Sequence, residues 1–210
     1  MAPRTERGLF LVLDGVDGCG KSTQAERLVE ALSAGAAADR RPLHLREPGS
    51  TVLGERLREL LFDRALDLDP GVEVLLFAAA RRQMLGELVA PALAAGRHVV
   101  CERFHPSTCA YQAHAGGLPA GRVRSVLAAW AGRPSPDVEL ILLLDPAAAA
   151  ERRGAPGDRI EDKDDAFHAR VAEGYRAYAD EVERAVAVDG SGSVEEVEAA
   201  VWEEVRRVLA

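Results

Sequence analysis

Four short apolar runs stand at residues 8–14, 43–46, 98–101 and 140–144, with a weaker fifth at 185–188. Unbroken runs of this length, without alternation of polar residues, are the pattern of strands buried on both faces of a parallel sheet. Between them apolar residues recur at spacings of three and four, mixed with charge, over 24–32, 52–62, 72–93, 122–130, 166–185 and 194–209, which predicts amphipathic helices. Strands that alternate with helices require right-handed βαβ crossovers, so the expected fold is α/β, a five-stranded parallel sheet with helices on both faces. No internal repeat and no long linker divides the chain, and Pro134 and Pro136 mark only a turn before the fourth strand. A single domain over 1–210 is the expectation.

Composition narrows the functions open to such a fold. The net charge is −8, whereas a general nucleic-acid or membrane-surface binder needs excess cationic surface, so neither partner is expected. Any phosphate ligand then has to be held by local arginines. Cys19, Cys101 and Cys109 follow no metal-ligand spacing and suit free thiols in a reducing compartment. No apolar run approaches membrane-spanning length and the N-terminus lacks a signal-peptide core, so the cytoplasm is the expected location.

The first strand runs into Gly15-Val16-Asp17-Gly18-Cys19-Gly20-Lys21-Ser22, followed by Thr23 and a helical pattern. This fits G-x-x-x-x-G-K-[ST] in the strand–loop–helix setting that gives the motif its meaning. Glycines let the backbone wrap an anion, successive N–H groups and the helix N-terminus supply positive potential, Lys21 reaches the β/γ-phosphates, and the Ser22 hydroxyl can ligate Mg²⁺. The expected ligand is a nucleoside triphosphate with Mg²⁺, bound through Gly15, Asp17, Gly18, Cys19, Gly20, Lys21, Ser22 and Thr23. Cys19 fills a variable position and reads as a small residue, not a redox centre. The loop alone serves GTPases, ATPases and kinases alike, so the acceptor has to be sought elsewhere.

Arg46 ends the second strand at the carboxyl edge, where open α/β sheets bind ligands, and can fork onto a monophosphate; a solvated salt bridge is the competing reading. Phe77 and Arg81 are four apart on a helix and share one face, although Phe77 taken alone suits simple core packing. Glu102 and Arg103 follow the third strand, again at the carboxyl edge. Ser107 and Tyr111 are one helical turn apart, with Gln112 next, and a buried aromatic with a satisfied hydroxyl is the alternative for Tyr111. Arg152, Arg153 and Arg159 sit among loop formers over 152–163, the composition of a lid that closes over polyphosphate.

The segments FLVLDGVDGCGKSTQ, REPGST, LLFAAARRQ, ERFHPSTCAYQ and RRGAPGDRIE, in this order, together resemble thymidylate kinase. The resemblance runs from about residue 9 to the C-terminal helix and implies a P-loop NTPase fold, ATP as donor and dTMP as acceptor. By it, Phe77 stacks on the thymine, Arg81 bonds a base carbonyl, Gln112 approaches the base or sugar and Tyr111 lies near the sugar 2′ position. Arg103, with Arg46, would bind the acceptor phosphate, Asp17 the acceptor 3′-hydroxyl, and Glu102 the metal shell or the acceptor. Gly18 stands where some relatives carry an arginine, so the chain resembles the bacterial type whose lid supplies it, here Arg153 and Arg159. A homodimer packed through helices is implied as well. Asp14, Ser50, Glu102 and the segment 113–117 depart from the family pattern and leave a different or modified pyrimidine monophosphate open as acceptor. A nucleotide-dependent switch is a more distant alternative, because it has no use for acceptor arginines.

Overall fold

The computed structural model describes residues 7–153 and 157–209, with the Arg153 side chain excepted. Five strands, β1 (Phe10–Gly15), β2 (Leu43–Arg46), β3 (Val99–Glu102), β4 (Val138–Leu143) and β5 (Ala185–Asp189), form one sheet in the order β2-β3-β1-β4-β5. Every adjacent pair is parallel. The helices are α1 (Lys21–Ser33), α2 (Val52–Phe62), α3 (Pro70–Met84), α4 (Ala90–Ala94), α5 (His105–Thr108), α6 (Ala120–Ala131), α7 (Pro146–Arg153), α8 (Asp165–Glu181) and α9 (Val194–Leu209).

Alternate residues of β1 feed two cores, as expected of a strand covered on both faces. Leu11 and Leu13 pack in the cluster that contains Ala25 and Leu28 of α1 and Val197, Val201 and Val205 of α9. Phe10 and Val12 pack with Met84, Leu85, Val89 and Leu93. The sheet is therefore the five-stranded, helix-covered parallel sheet of the P-loop NTPase fold. Among the described residues no helix is long and apolar enough to cross a membrane.

Several boundaries differ from those the apolar pattern predicts, each for a physical reason. The fourth strand begins at Val138 rather than at 140, because Glu139 is wholly buried within it, accepting a hydrogen bond from Tyr178 at 2.9 Å and pairing with Arg184. The long pattern over 72–93 is α3 and α4 joined by a π turn, Leu85–Val89, that keeps the chain helical while shifting its face. The pattern over 166–185 ends at Glu181, and β5 starts at Ala185. Two helical stretches fall outside the helices that the apolar spacing predicts. One is α5 with its π continuation Cys109–Ala115, and the other is the alanine-rich α7.

Candidate active site

β1 lies between β3 and β4, where the strand order reverses, and ligands of such sheets bind at that point beyond the carboxyl ends of the strands. The loop that follows β1 turns through Gly15 (φ 143°), Gly18 (φ 87°) and Gly20 (φ 95°), conformations that side chains resist. A Cβ at Gly15 would also stand 2.5 Å from the Leu142 carbonyl oxygen. Gly20 caps α1 without a side-chain bond, so the N–H groups of the first turn face outward as an anion site. Lys21 is buried beneath this turn and its Nζ donates to the carbonyl oxygens of Gly15 (3.0 Å) and Val16 (2.8 Å).

Ser22 Oγ donates to Glu102 Oε2 at 2.5 Å, and His44 Nε2 meets Glu102 Oε1 at 2.9 Å. Burial opposes the Glu102 charge, but the bonds from His44 and Ser22 hold its carboxyl below the ordinary value, and the same bond raises His44. His44 on β2 thus takes up the second oxygen of a side chain one methylene longer than the aspartate of the family pattern. A hydroxyl and a carboxylate converging beside the phosphate loop are the oxygen donors that suit Mg²⁺. Among the described residues no group of three or more His, Cys, Asp or Glu is arranged to hold a cation alone. An ion held by Ser22 and Glu102 would complete its shell with phosphate oxygens and water.

Two cavities open at this edge. The larger, about 920 Å³, follows the phosphate loop from Asp17 to Gln24 and reaches Arg46, Arg152 and the turn at Gly190–Val194. The smaller, about 100 Å³, is lined by Phe62, Phe77, Arg81, Tyr111, Gln112 and Ile160 among others. They meet at Asp17, Glu47, Arg58 and Arg103, which border both.

Arg103 is held at this junction at some conformational cost. Its φ of 67° is left-handed, a strained region for a side chain of this size. Its Nη1 donates to Ser107 Oγ (3.0 Å) and Tyr175 OH (3.3 Å), while Nη2 is ion-paired with Asp17. Beneath it Asp14, fully buried, accepts from Gly15 N, Phe104 N, Ser107 N, Ser107 Oγ and Tyr175 OH, at 2.7 to 3.1 Å. Burial works against the Asp17 charge, yet Arg103 and Lys21, with the Tyr111 hydroxyl at 3.0 Å, hold its carboxyl well below the ordinary range. Ser107 therefore organises the loop while it lines the smaller cavity.

Arg81 is 1% exposed and clamped: Nε donates to Glu47 Oε2 (2.8 Å) and Nη2 to Phe104 O and Thr108 Oγ1 (both 3.0 Å). Its Nη1 has no partner although it is buried. Burial pushes the Glu47 carboxyl up to about 7 against the pull of Arg81. Phe77, four residues before Arg81, borders the same cavity while its other side packs on the core.

Other expected site residues stand elsewhere. Arg46 borders the larger cavity, more than half exposed, and pairs with Glu55 at 3.2 Å; it does not line the smaller one. Arg58 on α2 takes the place between the cavities, with Nη1 on Pro48 O at 3.0 Å and its guanidinium 4.6 Å from the Phe62 ring centre. Ser50, where the family pattern has glycine, adopts φ 66° and is kept there by bonds of its Oγ to Arg46 N (2.9 Å) and Arg46 O (3.0 Å). Arg159, expected over polyphosphate, instead donates to Leu61 O (2.9 Å) and Glu73 Oε1 (2.7 Å). Of the arginines expected in a lid, Arg152 is, among the described side chains, the one that borders the larger cavity, bonded to Gly190 O at 3.1 Å. The Arg153 side chain and residues 154–156 lie outside the described residues.

Sequence reasoning missed Arg58, Glu47, Glu73, His44 and Tyr175. For Glu73 a signal was present, since Glu73, Phe77 and Arg81 recur every four residues on one face of α3.

A phosphate loop at the switch point of a parallel sheet, joined to a second chamber through shared arginines, defines a P-loop phosphotransferase. The sequence model for thymidylate kinase matches residues 13–201. The chain is 40% identical over 200 residues to a thymidylate kinase of Deinococcus radiodurans, covering 93% of this chain and 95% of the relative. It is 38% identical over 205 residues to one from Caldanaerobacter subterraneus, covering 97% of each. Among solved structures, a crystal structure of thymidylate kinase from Ehrlichia chaffeensis superposes with a TM-score of 0.78 at 28% identity, over 95% of this chain and 99% of that one. The chain belongs to the thymidylate kinase family.

Proposed function

We propose that this protein transfers the γ-phosphoryl group of ATP to dTMP, giving dTDP and ADP. The observation that carries the proposal is the junction at Asp17, Arg58 and Arg103, where a phosphate-loop cavity meets an aromatic-lined one. ATP occupies the larger cavity with its phosphates on the 15–23 loop and Lys21. The dTMP base enters the smaller, against Phe77 and within reach of Arg81 and Gln112, with Tyr111 beside the sugar.

An oxygen of the dTMP phosphate attacks the γ-phosphorus, and the bond to the β-phosphate oxygen breaks as ADP leaves with its electron pair. The attacking oxygen is already anionic near neutral pH, so no strong general base is required. Arg103, with Arg58 and Arg46 near it, holds the acceptor phosphate against repulsion from the donor, which positions the two for in-line transfer. Lys21 and the lid arginines Arg153 and Arg159 neutralise charge on the transferring group; Arg159 reaches it only by leaving Leu61 and Glu73. Ser22 and Glu102 would hold Mg²⁺, which when bound offsets charge on the β- and γ-phosphates.

The chain acts as one domain with a lid over about 152–163. Leu60 and Leu75, exposed on α2 and α3, and Trp130 on α6 support a homodimer packed through these helices. The three buried free cysteines suit a cytoplasmic setting.

ADP release measured with dTMP, dUMP, dCMP, dGMP and dAMP tests the proposal. Preference for dTMP is expected; a stronger response to another monophosphate would transfer the acceptor assignment to it, and slow hydrolysis indifferent to all five would indicate a switch.

A further inference from the structure

Glu73 is not on the wall of the smaller cavity but lines an adjoining one of about 560 Å³ with Gln112, and only 8% of it is exposed. Both its oxygens are engaged: Oε2 accepts from Gln112 Nε2 at 2.8 Å, and Oε1 accepts from Arg159 Nη2 at 2.7 Å. A carboxylate accepts hydrogen bonds and donates none, so Gln112 meets it through its NH₂ group. The side-chain oxygen of Gln112, Oε1, accepts no hydrogen bond among the described residues and is left for a ligand of the cavities that Gln112 lines, the smaller one among them.

The other polar wall is fixed in the opposite sense. Arg81 spends Nε and Nη2 on Glu47, Phe104 and Thr108, which leaves Nη1 as a buried donor without a partner. Among the polar groups of this cavity, Arg81 Nη1 is thus a donor and Gln112 Oε1 an acceptor, held by the carboxylates of Glu47 and Glu73. A pyrimidine with a 4-oxo group and N3–H presents an acceptor beside a donor. A 4-amino pyrimidine presents the reverse, and would set donor against donor and acceptor against acceptor. A buried site built for one arrangement rejects the other strongly, because its own polar groups are then left unpaired.

We infer that Glu73 is a specificity-determining positioning residue, which makes the site read the 4-oxo, N3–H edge of a pyrimidine by holding the Gln112 amide with its oxygen toward the base. The inference rests on the dTMP reading above. It assigns Glu73 no contact with substrate. Replacing the carboxylate by an amide, as in Glu73→Gln, frees Gln112 to rotate, since the new side chain offers a donor as readily as an acceptor, and the preference for one edge is lost with the anchor.

The test is kcat/KM for dTMP, dUMP and dCMP in the wild type, Glu73→Gln, Gln112→Leu and the double variant. The wild type is expected to favour dTMP and dUMP over dCMP. In Glu73→Gln that preference narrows tenfold or more, chiefly through a higher KM for the two 4-oxo nucleotides. Gln112→Leu narrows it to a similar extent, and the double variant narrows it no further, as two residues acting through one bond require. Arg159→Ala, which removes the other partner of Glu73, lowers turnover on all three without narrowing the preference. Equal losses for all three nucleotides in Glu73→Gln would mean a merely structural role and overturn the inference. So would an unchanged preference in Gln112→Leu, an arm that leaves Glu73 in place. A wild type that phosphorylates none of the three overturns the dTMP reading itself, and this inference with it.

Discussion

Asp17, inside the phosphate loop, and Arg103, at the end of β3, are ion-paired across the junction of the two cavities. An acid beside a triphosphate site is electrostatically unfavourable by itself. Here it is the counterion that fixes the guanidinium expected on the acceptor phosphate, while its second oxygen takes the Tyr111 hydroxyl.

Asp17→Asn keeps the size of the side chain but removes that counterion. The KM for dTMP is expected to rise about tenfold or more, as loss of a charge-assisted hydrogen bond implies, while ATP affinity is unchanged or improved. The same variant alters acid stability. Because the folded carboxyl is depressed, its contribution is present above the ordinary value of 3.8 and fades as pH falls through the lower folded value. Urea unfolding between roughly pH 2 and 5 should be less steep in pH for Asp17→Asn than for the wild type.

Arg81→Ala should lower the unfolding free energy by about 3–5 kcal/mol, because it strands the buried Glu47 carboxylate. A double change, Glu47→Leu with Arg81→Met, should recover most of that stability in urea titrations while dTMP binding stays lost. Recovery of binding as well would remove Arg81 from the acceptor site.

Replacing Arg159 or Arg153 by alanine is expected to lower kcat about a hundredfold, the scale of a charge-stabilising donor in transfer, with a smaller change in dTMP affinity. Single-turnover measurements separate the two effects. Unchanged turnover in both variants would leave Arg152, already on the larger cavity, as the lid arginine to test.

His105 is buried, stacked 4.3 Å from Phe104 and bonded through Nε2 to Ala131 O at 2.9 Å, and burial together with Arg81 drives its pKa well below 6.5. The fold accepts it neutral, so stability is full above 6.5 and falls as pH drops below that value, where the unfolded chain gains a proton that the native chain does not. His105→Gln retains a donor for Ala131 and should show a smaller loss of stability between about pH 6.5 and 5, measured as the difference between the two unfolding curves.

Much of this architecture was legible because its signals are local. The strand–loop–helix around Lys21, the apolar strands and the Phe77–Arg81 pair each need only a few consecutive residues. The counterions were not, because they come from distant segments: Glu47 lies 34 residues from Arg81, and Tyr175 lies 161 from Asp14. Glu139 hid the start of β4 for the related reason that its burial is justified only by Tyr178 and Arg184 on other elements. The lid arginines illustrate a different limit. The basic, loop-forming composition of 152–163 led to the expectation of a lid but could not say which guanidinium rests against α2 and α3 and which lines the phosphate cavity.

Calorimetric titration of dTMP into the protein already saturated with Mg²⁺ and a non-hydrolysable ATP analogue tests the two-chamber account most directly. One dTMP per chain, bound without displacing the analogue and weakened in Arg103→Ala, is the predicted result. Competition between the two nucleotides for a single site, or no uptake of dTMP, would contradict it.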